Sequence, residues 1–194
     1  MPPKVKITKE DIVNAATEIV RKNGEQAVNA RTIADKLNCS TQPIFSNFAT
    51  MEELRLAVLV KADALYNEYI GREIESGNYP AYKASGMAYI RFAKEEKELF
   101  KLLFMRDRSG EDDSDQAEFN DQIQAIVHDS TGLNGSEADL FHLEMWAYVH
   151  GIATMFATGF LNLDWDLVSR MLSDAYQGMR KQYERSEKDG CDPH

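Results

Sequence analysis

The stretch NARTIADKLNCSTQPIFSNFATMEEL, Asn29 to Leu54, decides how the rest of the chain is read. It spells two short helices, a tight turn and the start of a longer helix. In the first piece Ile33, Ala34 and Leu37 share a face, and Asn38 follows, a residue that tolerates the left-handed backbone a sharp turn needs. The chain then restarts at once. Ser40 is placed as an N-cap, Pro43 fits the first helical turn because its missing N–H would have no partner there, and Ile44, Phe45 and Phe48 supply the buried side. Thr50 and Glu53 have the spacing of a capping box for the next helix. Two helices joined by so short a turn cross steeply, the geometry of a helix-turn-helix unit whose second helix enters the DNA major groove.

Outward from this unit, Thr8 and Asp11 predict a capping box that opens a first helix, with Ile12, Ala15, Ala16, Ile19 and Val20 on one face and a stop at Gly24. This helix is expected to pack beneath the reading unit. Downstream, Leu54, Val58, Leu65 and Tyr69 continue at helical spacing to about Glu75, and Ser76 to Pro80 breaks the pattern. Further helices are expected at about 82–95, 98–105, 115–130, 136–161 and 164–186, with turn chemistry at Ser109-Gly110, from Gly132 to Gly135, and at Asn162. No internal repeat and no alternating strand pattern is present, so the fold class is all-α.

The N-terminal segment resembles the DNA-binding domain of the TetR family of bacterial transcriptional regulators. The resemblance rests on the capped first helix, the Arg31-Thr32-Ile33-Ala34 start of the second, the run Ser40 to Phe48, and Met51-Glu52-Glu53-Leu54. Three positions depart from the family pattern: Phe45 stands where tyrosine is frequent, Met51 where lysine is, and Asn38 where glycine is. The resemblance implies a three-helix helix-turn-helix DNA-binding domain over residues 1–50, a connecting helix over 51–75, and a C-terminal helical effector-binding and dimerisation domain over 76–194.

Base readout requires side chains that reach out of the second helix of the motif, and Thr41, Gln42 and Ser46 are best placed. Gln42 matches adenine N6 and N7, and the edge of Pro43 matches a thymine methyl. Asn47 completes this set. Phe45 has two readings, core packing beneath the reading helix or a van der Waals contact with the sugar-phosphate backbone. Arg31, Lys36 and the arm Lys4, Lys6 and Lys9 are phosphate candidates, the lysines being equally readable as a solubilising arm.

The net charge of −10 argues against a nucleic-acid partner only until its placement is considered. Through Thr50 there are seven Lys and Arg against five Asp and Glu; beyond it there are 15 against 27. An acidic body repels DNA over about a Debye length, roughly 8–10 Å, so contact is expected at the N-terminal end alone. There is no secretory leader pattern, and the most apolar stretch, Trp146 to Phe160, is interrupted by His150, Gly151 and Thr154. A cytoplasmic protein without membrane attachment is the expectation. Cys39 and Cys191 do not form a disulfide framework and lack metal-ligand spacing.

The helix expected over 136–161 is apolar nearly all round. One stripe holds Leu140, Leu143, Ala147, Thr154, Ala157 and Leu161; another holds Phe141, Met145, Tyr148, Ile152, Met155 and Phe156. Such a helix must be covered on more than one side. The last helix shows Val168, Leu172, Ala175, Met179 and Tyr183 on one face, with Ala175 and Gly178 small enough for close approach. These features point to a homodimer, and the resemblance implies pairing through the last two helices.

Tyr89, Phe92, Phe100, Phe104, Met105, Trp146, Tyr148, His150 and Met155 are the kind of lining a small-molecule pocket requires. Trp146 and His150 stand one turn apart, pairing a flat surface with a titratable polar group. His142 and His150 lie eight residues apart, about 12 Å along a helix, too far to share one ion. The cluster Glu111-Asp112-Asp113-Ser114-Asp115 lacks the glycine and distal glutamate of an EF-hand. No phosphate loop, nucleophile elbow or acid–base pair is present, so no cofactor, metal or catalytic residue is expected.

The reading is a homodimeric DNA-binding regulator, a repressor whose affinity for a pseudo-palindromic operator is lowered by a small-molecule effector. An activator would use the same residues. The alternatives are an all-α ligand-binding protein or enzyme with a merely structural helix-turn-helix, and a TetR-like regulator controlled by a protein partner.

Overall fold

The computed structural model describes residues 7–107 and 126–189, with side chains through residue 183. Among these residues all regular structure is helical: α1 (Lys9–Asn23), a 3-10 turn (Glu25–Ala27), α2 (Ala30–Lys36), α3 (Gln42–Asn47), α4 (Met51–Glu75), α5 (Ala81–Glu95), α6 (Lys97–Phe104), α7 (126–131), α8 (Gly135–Thr158) and α9 (Trp165–Asp189). The Ser109-Gly110 turn, the acidic cluster at 111–115, most of the helix expected over 115–130, Lys4, Lys6 and Cys191 lie outside the described residues.

The chain divides into two compact units. The first runs through Glu68 and takes in Glu95–Arg106; the second comprises Tyr69–Lys94 and the residues from Asp107 onward. The division between these units falls inside α4, and α6 groups with the N-terminal helices.

In the first unit α1 opens on the expected capping box, Thr8 Oγ1 accepting from Asp11 N–H while the Asp11 side chain accepts from Thr8 N–H at 2.9 Å. It ends at Gly24, whose φ of 82° any other residue would adopt only with strain. The predicted face is the one that is buried: Ile12, Ala15, Ala16, Ile19 and Val20. These side chains are covered by α2, α3 and α6, which pack on α1. Leu99, Phe100 and Leu102 of α6 are buried with them. Each such aliphatic or aromatic side chain contributes about 1.5–3 kcal/mol of transfer free energy. Arg21 fastens the edge, its guanidinium meeting Glu96 at 2.7 Å and also Glu18.

The cap at the start of α4 differs from a reciprocal box. Thr50 Oγ1 accepts from Glu53 N–H at 3.1 Å, but the Glu53 carboxylate accepts from Ala49 N–H at 2.9 Å, one residue earlier than the box requires. The same carboxylate pairs with Lys9 at 2.8 Å. That pairing comes first among the causes that hold Glu53 below the ordinary glutamate pKa, followed by the bond from Ala49.

In the second unit the packed faces are Ala84, Met87, Ala88, Ile90, Phe92 and Ala93 of α5, Phe141, Met145, Val149, Ile152 and Phe156 of α8, and Val168 and Leu172 of α9. Gly86 allows α5 to sit close: a methyl there would stand 3.1 Å from Leu172 Cδ2 and 3.5 Å from Val149 Cγ2. Val127 of α7 and Leu133 join Phe141 and Met145 in a cluster flanked by Tyr82, Tyr176, Met179 and Tyr183. Tyr176 donates its hydroxyl to the Ser130 carbonyl at 2.6 Å, so the partly buried ring has its polar end satisfied. Glu73 is buried and paired with Arg91 at 3.0 Å, and the Arg91 guanidinium stacks 4.4 Å from the Trp165 ring centroid.

The two stripes of α8 fare differently. Phe141, Met145, Ile152 and Phe156 are buried, Tyr148 and Met155 half-buried. On the other stripe Leu140 is 51 % exposed and Leu143 57 %, and Ala147 is exposed as well.

Candidate functional site

The turn between α2 and α3 is built by Asn38, the one non-glycine residue with positive φ among the described residues, at 50°. Cys39 N–H bonds the Ala34 carbonyl at 3.0 Å and closes the bend. The expected cap does not form: α3 begins at Gln42, its N-cap is Thr41 in helical backbone, and no side chain caps it. Ser40 lies within the turn. Pro43 is in the first turn of α3, as its missing donor demands.

Ile44 and Phe48 are buried and anchor α3 from beneath, whereas Phe45 is 57 % exposed. The expectation that Phe45 shares the buried side is therefore corrected. Successive helical residues are turned by about 100°, so the face that buries Ile44 and its i+4 neighbour Phe48 cannot include the residue between. Gln42 and Ser46 are exposed on the side with Phe45, while Thr41, Pro43 and Asn47 are intermediate. Ser46 donates its hydroxyl to the Gln42 carbonyl at 2.9 Å and Asn47 its amide to the Pro43 carbonyl at 2.7 Å. Both side chains are thereby oriented, and each keeps an oxygen that can accept.

Arg31 and Lys36 on α2 are exposed. Lys9 is exposed too, but it is held by Glu53 and placed 4.6 Å from the Phe48 ring centroid.

The residues expected to line a pocket fall in both units. Phe100 is buried in the first, Phe104 meets Tyr66 edge to face at 5.1 Å, and Met105 is exposed. Tyr89, Phe92, Trp146, His150 and Met155 belong to the second unit. Phe92 is buried against Tyr69, ring centroids 5.3 Å apart. Tyr89, His150 and Trp146 come together: the Tyr89 hydroxyl and His150 Nδ1 share a hydrogen bond at 2.8 Å, and the indole of Trp146 stacks on the imidazole. Trp146 is 41 % exposed, so the stack faces outward from a buried tyrosine.

One further pair repeats this pattern, and sequence reasoning missed it. Tyr82 and His142 Nδ1 share a hydrogen bond at 3.1 Å. The signal was present as two tyrosines seven residues apart on α5 and two histidines eight apart on α8. Among the described residues no cluster of His, Cys, Asp and Glu could hold a metal ion. No described helix is long and apolar enough to cross a membrane.

Residues 82–175 match the family model described as "Tetracyclin repressor-like, C-terminal domain". No curated protein matches the chain. Among solved structures, the fold is similar to that of a protein of unknown function from Rhodococcus sp. RHA1, with a TM-score of 0.72 at 19% identity over 94% of this chain and 98% of that one. A TetR-like transcriptional regulator from the same organism gives 0.66 at 16% identity, covering 92% and 98% of the two chains. The multidrug binding protein EbrR, solved with imidazole, gives 0.59 at 15% identity, covering 86% and 88%. Over residues 82–175 the chain is thus similar to tetracycline-repressor-like C-terminal domains, and this stretch follows a helix-turn-helix built from α2 and α3.

Proposed function

We propose that two copies of this chain form a ligand-responsive repressor that reads a pseudo-palindromic operator through paired α3 helices. The observation that carries the reading is the split of α3 into two faces. Ile44 and Phe48 hold it to the first unit, and Gln42, Phe45 and Ser46 are left exposed on the other side. An exposed glutamine suits adenine, and an exposed phenylalanine beside it suits a sugar or a thymine methyl.

Pairing is supported by the open stripe of α8. Leu140, Leu143, Ala147 and Gly151 are all exposed on one face. Gly151 and Gly178 sit inside helices, yet a methyl at either would meet nothing within 4 Å. Glycine in a helix interior costs about 1 kcal/mol relative to alanine, and nothing among the described residues accounts for that cost. Close approach by a second α8–α9 pair would.

Effector control is supported by the Trp146–His150–Tyr89 cluster in the unit that the family uses for ligands. The imidazole in EbrR is a property of that protein, but it makes a small aromatic base a sensible first probe here. The effector would act by differing in affinity for two arrangements of the dimer, with α4, which contributes to both units, as the link. The work is binding rather than catalysis, in the cytoplasm where the operator resides.

Light scattering after size exclusion, followed by selection of bound duplexes from random DNA, tests the reading. A dimer that enriches an inverted repeat is the expected result. Gln42→Ala should cost about 1–3 kcal/mol on that sequence alone, while Arg31→Ala should weaken all sequences and flatten the salt dependence. A monomer, or no enrichment, would reject the proposal.

A further inference from the structure

In the second unit, away from the Trp146 cluster, Lys83 reaches across from the first turn of α5 to α9. Its Nζ stands 2.8 Å from Ser169 Oγ and 2.8 Å from Ser173 Oγ, hydroxyls one helical turn apart. The ring of Tyr79 lies beneath it, its centroid 4.8 Å from Nζ. Lys83, Ser169, Ser173 and Tyr79 are all partly buried. Among the described residues no carboxylate pairs with this ammonium, in contrast to Arg91 or Lys101, each of which meets a glutamate. Its positive charge is met only by two hydroxyl dipoles and a ring face.

The donors around it do not cancel. Ser173 donates its own hydroxyl to the Ser169 carbonyl at 3.2 Å. The Ser169 oxygen accepts from Lys83, and its O–H has no acceptor among the described residues. An ammonium carries three N–H groups, and two are used here. One N–H and one O–H therefore remain, on atoms 2.8 Å apart, beside an unneutralised charge. A neutral ligand could accept these bonds but would leave the charge unmet, and a cation is excluded. Position in the first turn of a 15-residue helix adds a favourable field for negative charge.

We propose that Lys83, Ser169 and Ser173 form a site for a small oxyanion, a carboxylate or a phosphate ester, that ties α5 to α9. Burial holds the Lys83 pKa below the ordinary lysine value, and a bound anion would raise it again. The site makes no use of α3 and does not depend on the operator reading.

Titration of the whole protein with inorganic phosphate and, separately, with acetate, at ionic strength held constant with sodium chloride, tests this. The readouts are the amide shifts of the first turn of α5 and of Ser169, and the Lys83 ε-carbon shift across pH. Saturable changes with at least one of the two anions, with a raised Lys83 pKa, are expected. Lys83→Met should abolish saturation, Lys83→Arg should keep it, and Ser169→Ala should weaken it about tenfold. The arginine and alanine variants keep the test valid if the methionine variant is poorly folded. Absence of saturation with both anions up to roughly 50 mM, or an unaltered titration in a folded Lys83→Met, would overturn the proposal. Acetate binding without phosphate binding would identify the ligand class as carboxylate, and the reverse as phosphate ester.

Discussion

Trp146 lies flat against His150, with ring centroids 4.9 Å apart and planes inclined by 20°. Burial pushes the His150 pKa below its ordinary value, and does the same to His142 against a smaller opposing effect of Asp139. The folded chain thus favours neutral rings and binds fewer protons than the unfolded chain. The resulting stabilisation is present above the unfolded histidine pKa of about 6.5 and is lost as pH falls through the lower folded values. Stability should therefore decline below about pH 6.5, and in a Trp165→Phe background Trp146 fluorescence should fall over the same range as a stacked imidazolium forms. His150→Gln should remove the fluorescence step. A step that persisted in that variant would assign the quenching to another group.

Asn38 carries the left-handed bend between α2 and α3 at a φ of 50°. Asn38→Gly should leave stability within about 0.5 kcal/mol of the parent, since glycine reaches that backbone freely, whereas Asn38→Val should cost about 1–2 kcal/mol. Urea unfolding distinguishes them. Equal losses would mean that the asparagine side chain, rather than the backbone conformation, matters at this position.

Gly151→Ala separates a free helix face from a covered one. On a free face alanine would raise stability by about 1 kcal/mol with no other effect. With a second α8 packed there, the added methyl should raise the dimer dissociation constant about tenfold, measured by sedimentation equilibrium. Undiminished association would show that the contact does not run through this turn.

Met51 begins α4 where the family pattern has a lysine. If this end of α4 faces DNA, Met51→Lys should strengthen binding to any duplex and steepen the slope of log K against log salt by roughly 0.9, one released counterion. Phe45→Tyr adds only a neutral donor and should strengthen binding without changing the slope. Isotherms at several salt concentrations check both, and an unchanged slope for Met51→Lys would place that residue away from phosphate.

Most helix boundaries were legible because their signals are local. Thr8 with Asp11, Asn38, Gly24, and the break from Ser76 to Pro80 each act through their own backbone. Ser40 misled because serine suits a turn as well as a cap, and a six-residue helix offers too little periodicity to choose. Phe45 was ambiguous for the same reason. The pairing of Tyr89 with His150 and of Lys83 with Ser169 spans 61 and 86 residues, and no spacing rule reaches so far. Phe100 and Phe104 show the limit most clearly: their aromatic character was readable, but not the unit in which they would be packed.

The membership of α6 in the first unit has a practical meaning for anyone cutting this protein apart. A fragment ending at Glu75 would contain the whole helix-turn-helix yet lack Leu99, Phe100 and Leu102, and the face of α1 that these cover would meet water. Arg21 would lose Glu96 in the same cut. The first unit is discontinuous in sequence, so it has no single severable end; an autonomous version would have to splice residues 95–106 back onto residue 68 through a new linker.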